Sequence, residues 1–310
     1  MTDTLIPQKD GAFEALVLRL SRQSAAKHSD AYADIDWDAP DYAIDPADPR
    51  WHLAQDDPLA VTDWYRALPP ELQSRVALHR MAAAMRTGGQ FENILQRGLL
   101  SYAYRMPNRT PEFRFVHHEV FEESQHTLMF QEFVNRTPLR VGGIPQPLRT
   151  LANLIPPLNK WFPELFFMFV LGGEDPVDHV QRQHLRNGVA HPLLEQIMRI
   201  HVSEEARHLS FARHFLKARV PELGWGRRQV LALVSPLLFG VMVRLMVLPH
   251  PQLLAEYDVP VQARRQAERS PQARQLLLDA AAKPRRLCEE LGLDNRVAKA
   301  LWRLVGLRAG

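Results

Sequence analysis

Two Glu-x-x-His steps, Glu123-Ser-Gln-His126 and Glu205-Ala-Arg-His208, each follow an isolated glutamate at one distance. Glu92 lies 31 residues before Glu123 (123 − 92), and Glu174 lies 31 residues before Glu205 (205 − 174). On a helix, positions i and i+3 share a face, so each step can aim a carboxylate and an imidazole into one cavity. Such mixed oxygen and nitrogen donors suit iron, and glutamates can bridge two ions. A lone glutamate from each of two helices, with a Glu-x-x-His from each of two others, is the ligand plan of a two-metal site in a four-helix bundle. Taken singly, a Glu-x-x-His step is an ordinary exposed helix face. The repeated order and the equal offsets lift it above that.

The offset has a geometric meaning. About twelve residues climb one helix and about twelve descend the next, roughly 18 Å each way. Each antiparallel hairpin therefore sets its lone glutamate beside its Glu-x-x-His at one height. The 51 residues separating Glu123 from Glu174 (174 − 123) leave room for the long crossover of a ferritin-like topology.

Neighbouring residues extend the pattern. Glu122 and Glu204 each precede a motif glutamate. They are placed to accept the distal N–H of a ligand histidine from another helix, or else they face solvent. Arg207 can pair with one of them. The two halves differ at one position: His201 stands four residues before Glu205, whereas Glu119 stands four before Glu123. One turn along the same face, His201 reaches the site as a third histidine. Glu119 is expected outside the ligand set, as a supporting residue or an exposed one. Glu174 is flanked by Gly172-Gly173 and Asp175-Pro176. Proline inside a helix removes a hydrogen bond, so a helix break is expected there, with Asp175 or Asp178 as the alternative ligand. The Gly88-Gly89 pair before Glu92 suits a close backbone approach. Phe91, Leu95, Phe130, Phe166, Phe167, Met168 and Phe169 are candidates for a substrate pocket, although for any one of them bundle core is the more ordinary reading.

The elements that must position these residues read as helices. Periodic apolar spacing predicts helices over residues 12–27, from Glu71 to about Tyr104, from about Glu112 to Asn135, and from about Pro192 to Ala218. No segment alternates with period two, so the fold class is all-α: a ferritin-like four-helix bundle with additional N- and C-terminal helices. Residues 1–310 are expected to form one domain. Residues 1–60 hold an N-terminal helix and an Asp/Pro-rich strap, 61–220 the metal-binding bundle, and 221–310 helices packed on it. Tyr32, Trp37, Tyr42 and Trp51 are expected to fasten the strap to the body, and Thr62 or Asp63 to cap a short helix. Val230 to Leu248 is long enough to cross a bilayer. It contains Pro236 and Arg244, and an arginine near mid-membrane is costly, so a buried core helix is expected and no membrane span.

With 310 residues, 46% of them apolar, the chain can bury a large core. Its single cysteine, Cys288, excludes an internal disulfide and fits a reducing, cytoplasmic location. The opening MTDTLIPQKDGAFEAL has no basic stretch followed by an apolar one, so no secretory signal is expected. Net charge is +3, with basic residues gathered late, around Arg264-Arg265, Lys283 to Arg286 and Arg303 to Arg308. These read as solvated helix faces or as a surface for an acidic carrier protein. No zinc-finger spacing or RNA-binding signature points to nucleic acid.

The pattern His201-x-x-x-Glu205-x-x-His208, with Glu123-x-x-His126 and the lone Glu92 and Glu174, resembles the p-aminobenzoate N-oxygenase (AurF-type) family of non-haem di-iron oxygenases. The resemblance is clear over about residues 70–220. It implies seven metal ligands: Glu92, Glu123, His126, Glu174, His201, Glu205 and His208. It further implies two iron ions (Fe2+/Fe3+, with a di-manganese pair as the alternative), O2, an external electron donor and a homodimer. The implied reaction carries a small aromatic amine through hydroxylamine and nitroso stages towards a nitro group, by way of a peroxo-diferric intermediate. Two other readings stay open: a di-iron C–H hydroxylase or desaturase acting on an acyl or carrier-bound substrate, and a non-catalytic ferritin-like metal-binding protein.

Overall fold

Proline sets where the four bundle helices begin. The computed structural model describes residues 11–188 and 191–308. Residues 1–10, which include most of the opening judged to lack a leader, lie outside the described residues. Helix α1 spans Gly11–Ala26, α2 Pro70–Ala103, α3 Pro111–Arg136, α4 Pro163–Asn187 and α5 Pro192–Arg219. Helices α2 and α3 start one residue ahead of Glu71 and Glu112. Proline fits the first helical position because its missing N–H has no partner there anyway. The Thr110 side chain accepts from the Phe113 N–H and closes the start of α3. Helix α4 ends at Gly188, whose φ of 87° lies where side chains are strained.

Helices α2 and α3 pack as one hairpin and α4 and α5 as another. Contacts of α3 with α5 and of α2 with α4 join the pairs into a ferritin-like bundle, and α1 lies along α3 and α5. Among the described residues all regular structure is helical. Contrary to expectation, α4 runs unbroken through Pro176. The proline costs one rung, and the run of buried side chains from Phe166 to Asp178 holds the helix in place regardless. Glu174 therefore stays inside the bundle.

The apolar side chains form two clusters. One gathers Phe91, Leu95, Phe115, Phe167, Leu209 and Phe211. The other gathers Met85, Met129, Phe130, Phe133, Ile197 and Met198. Along α3 and α5 the motif residues fall between the two clusters, so a polar belt crosses the bundle with an apolar layer on either side.

The strap is fastened by Trp37 and Trp51, both buried, whereas Tyr32 is 55% exposed and Tyr42 only partly covered. The Trp51 ring stacks on His191 with centroids 3.8 Å apart. Thr62 caps the short helix Asp63–Arg66 by accepting from the Tyr65 N–H. Helix α6, Trp225–Val247, packs on α4 and on the late helix Arg296–Leu304. It is long and apolar enough to cross a membrane, and half of its most apolar stretch is buried in the fold. The expectation of a buried core helix holds on one face only: Val230, Leu233, Leu237 and Val241 form an exposed apolar row. A helix that is apolar all round leaves such a row when only one face is packed.

Close packing at the belt depends on glycine. A Cβ on Gly173 would overlap the Phe91 ring, which is itself buried and packs on Phe169 at 5.0 Å. Alanine normally favours a helix over glycine by about 1 kcal/mol. Gly173→Ala is expected to reverse that sign and destabilise by ~1–3 kcal/mol in urea unfolding. An unchanged or raised midpoint would mean that this contact does not limit the packing.

Candidate metal centre

Four helices deliver the motif side chains. Helix α2 carries Glu92, and α3 carries Glu119, Glu122, Glu123 and His126. Helix α4 carries Glu174, and α5 carries His201, Glu204, Glu205, Arg207 and His208. All are buried, and Glu119, Glu123, His126, Glu205 and His208 have no exposed surface. The reading of Glu119, Glu122 and Glu204 as solvent-facing charges is therefore overturned. Their helix faces turn into the bundle, where each meets the other hairpin.

Donor atoms converge in two groups. Glu92, His126, His201 and Glu205 each offer an atom within 4.8 Å of the others, and so do Glu119, Glu123 and His208. Within and between them, His126 Nδ1 lies 3.2 Å from Glu123 Oε2 and 3.5 Å from Glu205 Oε1. His208 Nδ1 lies 3.0 Å from Glu205 Oε1 and 3.2 Å from Glu123 Oε1. His201 Nε2 lies 3.4 Å from Glu92 Oε1. Ligands about 2.1 Å from one ion and at right angles sit about 3 Å apart, so these separations fit atoms sharing an ion. Glu174 is in neither group, but burial and the charges of Glu205 and Glu123 raise its carboxyl well above the usual range. Asp175 pairs with Arg213, and Asp178 with Arg182 (2.6 Å) and Lys283 (3.0 Å). Those two acids thus have cations of their own.

A second layer fixes the imidazoles. His126 Nε2–H donates to Glu204 Oε2 at 2.9 Å, and His208 Nε2–H donates to Glu122 Oε2 at 2.7 Å. Each acid comes from the helix opposite its histidine. The outward nitrogen is thereby occupied and Nδ1 is turned inward. Arg207 donates to Glu122 Oε1 at 2.8 Å and to Ser24 Oγ at 3.1 Å, and the Ser29 N–H donates to Glu204 Oε1 at 2.7 Å. For His201 the roles of the nitrogens swap. Its Nδ1–H donates to Gln181 Oε1 at 2.9 Å, leaving Nε2 facing Glu92. Sequence reasoning missed Gln181, Ser24 and Ser29. Only Gln181 carried a signal, standing two helical turns after Glu174.

The electrostatics reflect many ionisable groups in little space. Burial raises the carboxyls of Glu92, Glu119 and Glu205, and like charges nearby add to it. Burial also opposes charge on Glu123, but His208 and hydrogen bonds outweigh it and hold this carboxyl well below its usual range. Glu122 is held at about 2 in the same way, by His208 and Arg207. Burial disfavours the charged imidazole of His126, yet Glu123 and Glu204 raise it to about 9, and His208 is raised likewise by Glu205 and Glu123. Burial leaves His201 well below its ordinary value. Glu92 Oε2, Glu123 Oε1, Glu205 Oε2 and both oxygens of Glu119 are buried with no well-placed hydrogen-bond donor. Buried oxygens without donors are rare in folded proteins, and several converging ones are what a cation site requires. The donor set therefore fits a pair of metal ions.

A cavity of about 90 Å³ lies beyond Phe130 and Gln181, two of its lining residues that contact His201. Met85, Thr87, Phe130, Gln181 and Met198 line it, and Phe130 packs on the His201 ring at 5.1 Å. Of the aromatic candidates named from sequence, Phe130 lines this space. Phe91, Leu95, Phe166, Phe167, Met168 and Phe169 are core instead. Arg80 lines the cavity as well, but its guanidinium already meets Asp57 at 3.3 Å and donates to the Val247 carbonyl.

Comparison with known proteins agrees with the site. A family model described as P-aminobenzoate N-oxygenase AurF matches residues 10–292. Uncharacterized proteins of Mycobacterium tuberculosis and Mycobacterium bovis are each 40% identical over 297 residues, covering 95% of this chain and 87% of the relative. No solved structure gives a significant match.

Two outcomes are expected. In the metal-free protein His126 titrates at about 9, against about 6.5 for an unfolded histidine. Its stabilisation is complete below the unfolded value and is lost as pH rises through the folded one. The metal-free melting temperature should therefore fall between pH 6.5 and 9, and divalent metal should remove that dependence. A flat profile for the metal-free protein would contradict this account. Second, Glu204→Gln removes the charged acceptor for His126 and should weaken metal binding roughly 10–100-fold in a chelator competition. Unchanged affinity would show that Glu204 does not orient the imidazole.

Proposed function

The chain belongs to the p-aminobenzoate N-oxygenase AurF family, and on that premise we propose that it is a di-iron oxygenase acting on the nitrogen of a small aromatic amine. The observation that carries this reading is the convergence of buried carboxylate and imidazole atoms, several without hydrogen-bond donors, between two apolar layers. Glu92, Glu123, His126, Glu174, His201, Glu205 and His208 would hold the ions. Once bound, the iron pair would supply the activation of O2, with electrons from an external donor, that carries an amine towards hydroxylamine, nitroso and nitro products.

The chain's own residues do the rest. Glu204 and Glu122 keep a proton on the outward nitrogens of His126 and His208, and Gln181 keeps one on His201 Nδ1. His208 and, after it, Arg207 keep Glu122 ionised. The apolar layers exclude water from the belt, which strengthens each electrostatic contact within it. The cavity beside Phe130 is the natural place for the substrate ring. Because Arg80 is already engaged by Asp57, this cavity suits an uncharged arylamine better than an aminobenzoate.

The carbon-oxidising reading, with an acyl substrate on an acidic carrier, leaned on free late cations. Within the fold, Arg264 and Arg285 donate to backbone carbonyls, and Lys283 and Arg308 pair with Asp178 and Glu289. That reading thus loses part of its support. The cavity beside His201 speaks against a purely metal-holding protein.

Anaerobic titration should bind about two ferrous ions per chain; binding of none would remove the central claim. After O2 is admitted to the reduced protein, mass spectrometry should find oxygen on the nitrogen of an uncharged arylamine. Oxidation confined to an acyl substrate, with amines untouched, would favour the carbon-oxidising reading. His201→Ala should keep some iron but change the absorption of the oxygenated protein and slow amine oxidation. Full activity with an unchanged spectrum would remove His201 from the ligand set.

A further inference from the structure

One shift relates the two halves of the site. Moving by 82 residues carries Glu92 to Glu174 (174 − 92), Glu123 to Glu205 (205 − 123) and His126 to His208 (208 − 126). The same shift carries Glu122 to Glu204, and those two acids do the same work on opposite histidines. It also carries Glu119 to His201. The converging group Glu92, His126, His201 and Glu205 thus has an image, residue for residue: Glu174, His208, Glu119 and Glu123. Three members of that image, Glu119, Glu123 and His208, do converge within 4.8 Å.

Glu119 has no exposed surface, and neither of its oxygens meets a hydrogen-bond donor. A buried carboxyl that served only the fold would be expected to have donors, since leaving it without them costs free energy. Glu122, next door, shows the ordinary arrangement, with Arg207 and His208 as its donors. No comparable arrangement surrounds Glu119. One of its ligand atoms lies instead within 4.8 Å of a carboxylate oxygen of Glu123 and a ring nitrogen of His208.

We propose that Glu119 is an eighth protein ligand, binding the ion on the Glu123–His208 side as the counterpart of His201 on the other ion. The inference rests on the two-iron reading above. The four carboxylates already assigned balance two ferrous ions. Glu119 adds a fifth negative charge to one side, whereas His201 adds a neutral donor to the other. The two ions are therefore inequivalent: the Glu119-side ion has the more anionic oxygen set and favours the ferric state, and the His201-side ion is easier to reduce. The cavity beside Phe130 and Gln181 lies on the His201 side, so the more reducible ion is the one nearer that space.

The test uses the full chain with Glu119→Gln, which keeps the shape and removes the charge, and Glu119→Leu, which removes the donor atoms. Ferrous ion binding is measured anaerobically, and Mössbauer spectra of the iron-loaded protein give one quadrupole doublet per distinct site. In both variants one of the two ions should bind about 10-fold more weakly or worse, and one doublet should move while the other stays. Metal-free Glu119→Leu should melt at or above the wild-type temperature, because it removes a buried carboxyl that has no donor. Folding and ligation are thereby separated. If the wild-type chain binds fewer than two ions, the two-iron reading falls and this inference with it. If the wild type binds two and both variants keep both affinities and both doublets, only the inference is overturned. A uniform loss on both ions, with both doublets moved alike, overturns it as well, because a ligand to one ion acts on that ion first.

Discussion

Ionisable side chains are costly to bury, by several kcal/mol each, unless counter-charges and hydrogen bonds repay them. This bundle buries Glu92, Glu119, Glu123, Glu174 and Glu205 together with His126, His201 and His208 across its middle. Much of the architecture follows from that constraint. An apolar layer on each side keeps water from the belt. Glycine at Gly173 lets α4 approach the Phe91 ring on α2. The belt itself is left with more acceptors than donors, a deficit that only cations or protons can fill. In the metal-free chain burial and like charges push the Glu92 carboxyl towards holding a proton, and the surrounding carboxylates do the same for His126 and His208.

The outer layer resolves a conflict that the inner one creates. Imidazole has two nitrogens, and a metal site needs the inward one free of hydrogen. Glu122 and Glu204 achieve this by crossing the bundle, each serving the histidine of the facing helix. Their charges are settled in turn by groups further out. Arg207 bonds Glu122 and the side chain of Ser24 in α1, and the strap's Ser29 N–H bonds Glu204. The N-terminal segment therefore reaches His126 through Glu204 and His208 through Arg207 and Glu122, and it is more than a cover on the bundle.

What was legible in the sequence was whatever repeats. The equal offsets fixed which helices pair, and the apolar periodicity placed the starts of α2, α3 and α5 to within a residue. What was not legible depended on tertiary placement. Pro176 read as a break because local rules count the lost hydrogen bond and not the packing that holds α4 straight. The phenylalanines at 166, 167 and 169 read first as core but also as pocket, since both environments select the same side chains. Tyr32 looked like an anchor and is exposed, whereas Trp51 is held by His191, more than a hundred residues away in the chain. Glu119 was the hardest. A glutamate on a helix is usually solvated, and nothing in its neighbours says that both oxygens will be buried without a donor.

The break in symmetry gains its meaning from this burial. Had position 119 faced solvent, the third histidine would simply be an added ligand on one half of a symmetric plan. With Glu119 binding an ion as proposed, the two halves match in ligand count and differ in charge at one position. A duplicated bundle can make its two metal positions unequal without changing its fold by exchanging a carboxylate for an imidazole at equivalent places. Two equal ions would share an oxidising equivalent evenly. Two unequal ones direct it to one side, and here the side with the neutral ligand is the one that adjoins the cavity lined by Phe130 and Gln181.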